Sequence, residues 1–421
     1  MTLLNRSPAL SFVLVCVLLD VIGIGLIIPV LPLLVGEFTV NAQAQTLWYG
    51  VLIAAYGLAQ FFAAPLLGAL SDRYGRRPVL LLSQLGWGLD FLLLAFAPSL
   101  WWMLLARVLG GVTGAGFIVA SAYVADVTTP EKRTQGMGMI GAMFGVGFIV
   151  GPALGGILGE WGVRVPFYVA AGVAIVNVVY GYFILPESLP ADKRTAYGRQ
   201  ALLAKSNPFT AIWVLRKLPK AGAGVAVLAL IVALAITDLV QFMMHTTFVL
   251  FTTQRYGWGP FDNGMALLVV GVLMALVQGV LLGPMIKRFG ERKLALIALT
   301  IGAVEFVGMA LAFNGMAMMV VILVFFVAGA AHPAVMGLVS QNVPESEQGA
   351  VMGAVAGLSA LMIVIAPLIA SPLLAATNHY PVQDVRFGTV YLLAAALQAV
   401  SAWLVWRALR PNKSSVEGFT A

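Results

Sequence analysis

Four carboxylates interrupt apolar stretches of a chain that keeps most of its other charges between such stretches: Asp20, Asp90, Asp238 and Glu305. An acid near the centre of a hydrocarbon slab costs at least ~2.5–3.5 kcal/mol on insertion scales, and a lipid-facing position returns nothing. All four are therefore expected to face a central, water-accessible cavity, where they can take up and release protons. The residues alone leave a second reading open, in which some pair with a basic neighbour or cap a broken helix. Arg107 is the one basic residue embedded in the apolar stretches of the first half. Its guanidinium stays charged, so it needs a carboxylate or an anionic substrate group, unless it snorkels to the interface. His245 and His332 are candidate proton or ligand groups, since imidazole titrates near neutrality. They share no metal-ligand spacing, and each is equally readable as a packing residue. Phe242, with Met243, Met244 and Phe248, could line an apolar pocket or pack in a core.

The elements that must hold these residues follow from composition. Of 421 residues, 61% are hydrophobic and 10% charged, against about 25% charged in soluble chains. So few charges cannot clothe a water-exposed surface, which excludes a soluble enzyme, a disordered chain and a fibrous protein. The single cysteine, Cys16, excludes an internal disulfide framework and a cysteine-based zinc site. Apolar segments of helix length fall at roughly 9–35, 46–70, 78–98, 100–125, 136–159, 165–185, 221–252, 262–285, 293–313, 316–341, 349–376 and 387–408. Each is near the ~20 residues that cross ~30 Å of hydrocarbon. The expected fold is an all-α membrane protein of twelve transmembrane helices in two six-helix bundles. Its expected domains are 1–185, a central loop at 186–220, and 221–421.

Charge sets the orientation. With the N-terminus inside, twenty of the 24 Lys and Arg fall on the cytoplasmic side, so both termini are expected there. The net charge of +7 thus follows a membrane pattern and does not indicate a nucleic-acid partner. The first segment contains Asp20 and lacks a small-x-small cleavage site, so it is read as a retained span. The two halves repeat. Residues 68–78, GALSDRYGRRP, resemble 283–293, GPMIKRFGERK, and Gly138 with Pro152 recurs as Gly353 with Pro367. The same offset of 215 carries Asp90 onto Glu305, while Asp20 meets Asp238 at an offset of 218. A three-residue insertion or deletion between spans 1 and 3 would reconcile the two. Parallel six-span repeats around a midplane site are a transporter architecture.

Two further motifs suggest gating. In the loop between spans 2 and 3, Gly68 allows close helix approach and Gly75 a tight turn. There Asp72 can accept from a helix N-terminus or a basic partner, and Arg73, Arg76 and Arg77 mark the cytoplasmic face. In span 5, Gly147, Gly151 and Gly155 form one stripe that permits backbone contact, and Pro152 removes a helical hydrogen bond. A smooth, bent face of this kind suits a gate where two bundles rock; ordinary tight packing is the plainer reading.

At these motifs the chain resembles the major facilitator superfamily, over essentially all twelve spans. The 68–78 loop looks like its 2–3 loop, and the glycine-proline stripe like the motif of its exporting members. Within it the chain most resembles the bacterial tetracycline/proton antiporters. The likeness rests on 19–32 (LDVIGIGLIIPVLP), 71–80 (SDRYGRRPVL), 89–96 (LDFLLLAF) and 114–126. The resemblance implies a proton-driven exporter with a central drug pocket. Its functional positions fall on Asp20, Gln60, Asp72, Arg76, Asp90, Arg107 and Gln278. The second half departs: Met274 stands where those pumps carry a span-8 histidine, and their span-9 aspartate falls on Gly302. Glu305 follows one helical turn later, and Asp238 occupies a usually uncharged position. The resemblance thus implies a retained but rearranged proton path; Gln60, Asp90, Met274 and Gln278, at its positions, are candidate substrate contacts, and the residue types add Phe242, His245 and His332.

The expected activity is proton-coupled export of a small amphipathic drug, tetracycline first, by alternating access. Another drug or a metabolite such as a siderophore is the alternative, and a proton-coupled uptake symporter a further one. An inner (plasma) membrane location is expected, with protons, a small-molecule substrate and the bilayer as partners. No cofactor is expected, since no phosphate-binding GxxxxGK[ST] stretch occurs, and a monomer is expected to suffice. A membrane-embedded enzyme would need a nucleophile or metal constellation that the histidines and lone cysteine do not offer. A passive channel fits the duplicated acids poorly.

Overall fold

The computed structural model describes residues 8–114, 116–195, 207–213, 215 and 223–410. Of the basic residues used to orient the chain, Arg6, Arg199, Lys205, Arg216, Lys217, Lys220 and Lys413 lie outside the described residues, as does much of the central loop.

Among the described residues the regular structure is helical. In the first half the helices are α1 (Pro8–Ile27), α2 (Leu31–Gly36), α3 (Ala42–Tyr74), α4 (Arg76–Ala95), α5 (Leu100–Thr113), α6 (Gly116–Val127), α7 (Arg133–Gly159) and α8 (Val165–Ile184). A short helix, α9 (Phe209–Trp213), follows in the central loop. The second half has α10 (Ala223–Tyr256), α11 (Pro260–Leu276), α12 (Leu282–Leu311), α13 (Gly315–Val324), α14 (Ala331–Gln341), α15 (Glu345–Thr377) and α16 (Thr389–Ala408). Among the described residues, ten stretches are long and apolar enough to cross a bilayer, and the pair Gly315–Val324 and Phe326–Gln341, bent by 49°, adds an eleventh. One of the ten, Pro260–Leu311, runs for 52 residues. As a straight helix it would measure ~78 Å, more than twice the hydrocarbon thickness. It breaks at Gly290, where φ is 73° and ψ is 156°, and so supplies two spans. The fold is twelve transmembrane helices in two bundles.

The repeat is written into the turns. Gly75, at φ 105° and ψ 159°, is the counterpart of Gly290 at the 215 offset, and both adopt a backbone that suits only glycine. Ser99 caps α5 by accepting from the Trp102 amide, and Asn314, again 215 residues on, caps α13 by accepting from the Ala317 amide. Asn41, which caps α3, matches Gly259 ahead of α11 at the 218 offset. The three-residue difference therefore arises within span 8, between Gly259 and Gly290. That span contains a π-turn, Val277–Leu281, the kind of helix irregularity found often at functional sites.

Packing distinguishes the two faces of the molecule. The bundles meet along two seams, α3 with α15 and α7 with α11, each the image of the other under the repeat. Most basic loops and both ends of the described chain lie on one face, here termed the basic face. On the far face one buried apolar cluster runs through both halves, from Leu26 and Leu94 to Phe251 and Leu374. On the basic face each half keeps its own cluster. The glycines agree. A methyl on Gly57 would come 2.9 Å from Ile363, and one on Gly271 2.8 Å from Ile149, both across the seams. Nearer the basic face, a methyl on Gly138, Gly141, Gly145, Gly349 or Gly353 would meet no other described element within 4 Å. The molecule is closed at the far face and parted at the basic face. In the parted region α9 lies against α15, and the Phe209 ring centroid is 5.4 Å from Phe61 of α3.

Exposed Trp101, Trp161, Phe183, Met316 and Trp403 form an apolar and aromatic exterior of the kind that lipid covers.

Candidate functional site

Asp20, about two turns before the end of α1, reaches a small cavity of about 100 Å³ whose walls include Tyr56, Gln60, Gln84 and Trp87. Asn177 of α8 donates to Asp20 Oδ1 at 3.5 Å and accepts from Cys16 Sγ at 3.1 Å. No basic side chain pairs with Asp20 among the described residues. Gln60 Nε2 donates to the Gly114 carbonyl at 3.1 Å, which ties span 2 to the break in span 4.

Asp90 behaves differently. It forms an ion pair with Arg107, and both are buried, at 2% and 4% exposure. Gly110 is required there, since a methyl on it would sit 2.6 Å from Asp90 Oδ2. The Arg107 guanidinium also lies 5.5 Å from the Tyr56 ring centre. Neither residue lines the mid-depth cavities. The expectation that all four acids face one central cavity therefore needs two changes: Asp90 lines neither space in this state, and Asp20 lines a smaller space than the one that holds Asp238 and Glu305. For Asp90 the reason is its always-charged neighbour one helix away, which draws the carboxylate into the bundle interior.

The larger cavity, about 430 Å³, lies in the second half and shares Phe144 with the smaller one. It is lined by Asp238, Phe242, His245, Met274, Gln278, Glu305 and His332. The expected substrate contacts other than Gln60 and Asp90 thus stand around one space. His332 Nδ1 is 2.7 Å from Asp238 Oδ1, and Ser359 of α15 donates to the other carboxylate oxygen. Spans 7, 10 and 11 meet at this acid. His245 sits between Phe148 and Phe242, with ring centroids 6.0 and 6.2 Å away. Glu305 has no hydrogen-bond or ion-pair partner among the described residues.

At the basic face, Arg76 ties the first half together. It pairs with Asp72 at 2.7 Å and Asp126 at 3.1 Å, and donates to Ser71 Oγ at 2.6 Å. Its backbone amide donates to Glu187 at 2.8 Å, and Glu187 faces Arg194 at 3.7 Å. Arg73 stacks on the Tyr74 ring at 5.2 Å. Gly75 makes the turn, and a methyl on Gly68 would sit 3.7 Å from Ile118 of span 4. The partners of Arg76 all belong to the first half, so in this state it fastens one bundle's loops.

The span-5 stripe needs a correction. Gly147, Gly151 and Gly155 meet Val21, Gly25 and Leu26 of α1, within one bundle. The seam between bundles uses another face of α7. A methyl on Gly264 of α11 would lie 2.6 Å from the Pro152 carbonyl and 2.9 Å from Gly156 Cα. The four-residue spacing identified a tight helix contact but not its partner helix. Pro152 stands inside α7 without ending it.

Some site residues had no clear signal. Asn177, an amide in the apolar run of span 6, could have been noticed; Ser359 could not. On the far face Gln254 donates to Thr46 at 3.1 Å, and Asn378 donates to Gln254 at 3.2 Å, bridging the halves. The Phe261 amide donates to Glu160 at 3.2 Å across the other seam.

A model of the Major Facilitator Superfamily matches residues 13–367 and 279–419. Tetracycline resistance protein, class C, of Escherichia coli is 36% identical over 397 residues, 94% of this chain and 96% of that protein. Multidrug resistance protein 2 of Bacillus subtilis is 28% identical, over 86% of this chain and 87% of that protein. Among solved structures, the nucleoside transporter NupG superposes with a TM-score of 0.74 at 13% identity, covering 97% of this chain and 100% of that one. The human organic anion transporter MFSD10 superposes with a TM-score of 0.66 at 23% identity, covering 94% and 99%. At these identities the two structures share the fold alone.

Proposed function

Because the chain belongs to the Major Facilitator Superfamily, in the branch that holds the tetracycline resistance proteins, we propose that it is a proton-coupled antiporter exporting a small amphipathic drug, with tetracycline the first candidate. The basic face is the cytoplasmic face, both termini lie on it, and the membrane is the inner (plasma) membrane. The domains are 1–185, the loop 186–220, and 221–421, and one copy carries out transport. The state described above is then the one open to the cytoplasm.

One observation carries the reading. Asp20 faces a cavity walled by the first bundle, where a neutral amide, Asn177, donates to it and a second, Gln84, stands in the same wall. A carboxylate held this way has no fixed counter-ion and is stable with or without its proton, as a carrier must be. Asp90 and Arg107 form the lock beside it, and Asp238 with His332 forms the acid site of the second half. Protons enter from outside and load the cavity acids, the outward state releases drug, and deprotonation toward the cytoplasm restores drug binding. Each proton moving down 100 mV supplies ~2.3 kcal/mol, and no nucleotide is required.

The test uses inverted vesicles, acid inside. Tetracycline is expected to trigger proton release that a pH-sensitive dye reports. Asp20→Asn is expected to abolish the release while membrane content stays unchanged. Normal release from that variant would remove Asp20 from the proton path.

A further inference from the structure

We propose that Arg164 and Arg255 are positioning residues for spans 3 and 9, the helices that carry Asp90 and Glu305. That the two acids couple transport rests on the exporter reading; that the arginines hold their helices rests on geometry alone.

Four of the 24 basic residues, Arg107, Arg164, Arg255 and Arg386, stand apart from the basic face. Arg107 is paired with Asp90, and Arg386 with Asp384. The other two reach main-chain carbonyls. Arg164, at the start of span 6, donates through Nη1 to Ala95 and Ala97 at 3.0 and 3.3 Å. Its Nη2 meets Glu37 at 3.0 Å. Arg255, near the end of span 7, donates through Nη1 to the Ala310 carbonyl and through Nε to that of Val382, both at 2.9 Å. It is 4% exposed, and no carboxylate pairs with it among the described residues. The ring centres of Phe251 and Phe387 lie 5.3 and 5.5 Å from its guanidinium. Beside it the Tyr256 hydroxyl donates to the Ala312 carbonyl at 2.8 Å.

The acceptors are images of each other, but the arginines are not. Ala95 and Ala97 fall on Ala310 and Ala312 at the 215 offset, which carries Arg164 onto His379. Arg255 stands opposite Glu37 at the 218 offset. Each half thus brings an arginine to the same carbonyls from a different helix. A contact kept only by descent would use matching positions, so this one answers a need of these two helix ends. Among the described residues, no other helix end on the far face has an arginine on its terminal carbonyls.

The need is physical. The last carbonyls of a helix lack partners within it, and burial makes that costly. A guanidinium satisfies them, opposes the negative end of the helix dipole, and fixes the spacing of the groups it joins through a rigid fork. Asp90 and Glu305 each lie five residues before the clamped Ala95 and Ala310, a rise of ~7.5 Å. Span 3 packs along span 6, and span 9 along span 12. A clamp at the far end keeps each acid-bearing span from sliding along that neighbour. All partners of each arginine lie in its own bundle, so the clamps hold while the bundles move.

Dicyclohexylcarbodiimide couples to carboxyl groups in apolar surroundings, and mass spectrometry of the purified full-length protein locates the adducts without any transport. Arg255→Gln is expected to quicken labelling of Glu305 at least about threefold and to leave Asp90 unchanged. Arg164→Gln is expected to do the converse. Lysine keeps the charge but loses the fork, so Arg255→Lys and Arg164→Lys are expected to restore only part of the protection. The lysine variants also carry the test if Arg255→Gln, which strands buried carbonyls, yields no folded protein. General loosening would quicken both acids in either variant. That result, labelling indifferent to the arginines, or full protection by lysine would each overturn the proposal. The exporter reading fails separately. Matched labelling shifts without drug-driven proton release from the unaltered protein would keep the clamps and remove the exporter. Proton release with labelling indifferent to both arginines would keep the exporter and remove the clamps.

Discussion

At the scale of single residues, three acids of the first half and its loop show how one side-chain type takes different roles. Asp20 faces a cavity with a neutral partner, Asp72 holds a loop arginine, and Asp90 is locked to Arg107. The buried lock has an energetic signature that differs from that of a cavity acid. Removing one member of a buried pair strands the other charge and costs ~3–5 kcal/mol, whereas removing both is often neutral. Asp90→Asn and Arg107→Gln are therefore each expected to lower the thermal stability of the purified protein strongly. The double variant is expected to recover most of that loss yet remain uncoupled in the vesicle assay. Coupled transport by the double variant would make the pair purely structural. The need for such a pair was legible: an arginine that cannot lose its charge, inside an apolar span, demands a carboxylate. Which of the four acids answered was not legible, because the choice depends on how α4 and α5 rotate against each other.

At the scale of helices, α7 has two working faces. One is the glycine stripe against α1, where Gly151 and Gly25 bring backbone against backbone. The other carries Ile149, Pro152 and Gly156 to α11 of the opposite bundle. Overpacking these faces should have different consequences. Gly151→Val would place its added atoms on the Gly25 main chain, 2.8 Å from the methyl position, which cannot give way. It is expected to cost ~1–3 kcal/mol of stability. Gly271→Val presses instead on the Ile149 side chain across the seam. It is expected to spare stability and to shift the population toward the state open at the far face. A cysteine at Thr46 in a Cys16→Ser background reports this as faster labelling by an impermeant thiol reagent. Equal destabilisation by both variants, or unchanged labelling, would contradict the division of faces. Sequence spacing revealed that α7 carries a smooth stripe, since a period of four on a helix is unambiguous. It could not reveal which neighbour the stripe meets. That is fixed by the bundle arrangement, and several spans offer similarly small residues.

At the scale of the whole molecule, the repeat does most of the explaining. The offsets of 215 and 218, read from loop motifs and paired acids, reappear in the positive-φ glycines and in the helix caps. They reappear again in two symmetric seams. The parted face was not legible, because one sequence must support both an open and a closed basic face if it transports by alternating access. What the structure adds is the place where the present state is held. On the far face Thr46, Gln254 and Asn378 link spans 2 and 7 to the end of span 11, above an apolar cluster shared by both halves. These contacts must separate for the cavity to reach the far side. A covalent tie across them should therefore stop transport without unfolding the protein. Thr46→Cys with Gln254→Cys, in the Cys16→Ser background, is expected to lose drug-driven proton release when treated with a short bifunctional thiol reagent. A reagent of the same reach joined through a reducible disulfide should give a block that dithiothreitol reverses. Continued proton release in fully cross-linked protein would mean that the bundles do not separate at this seam, and the rocking mechanism would have to be abandoned.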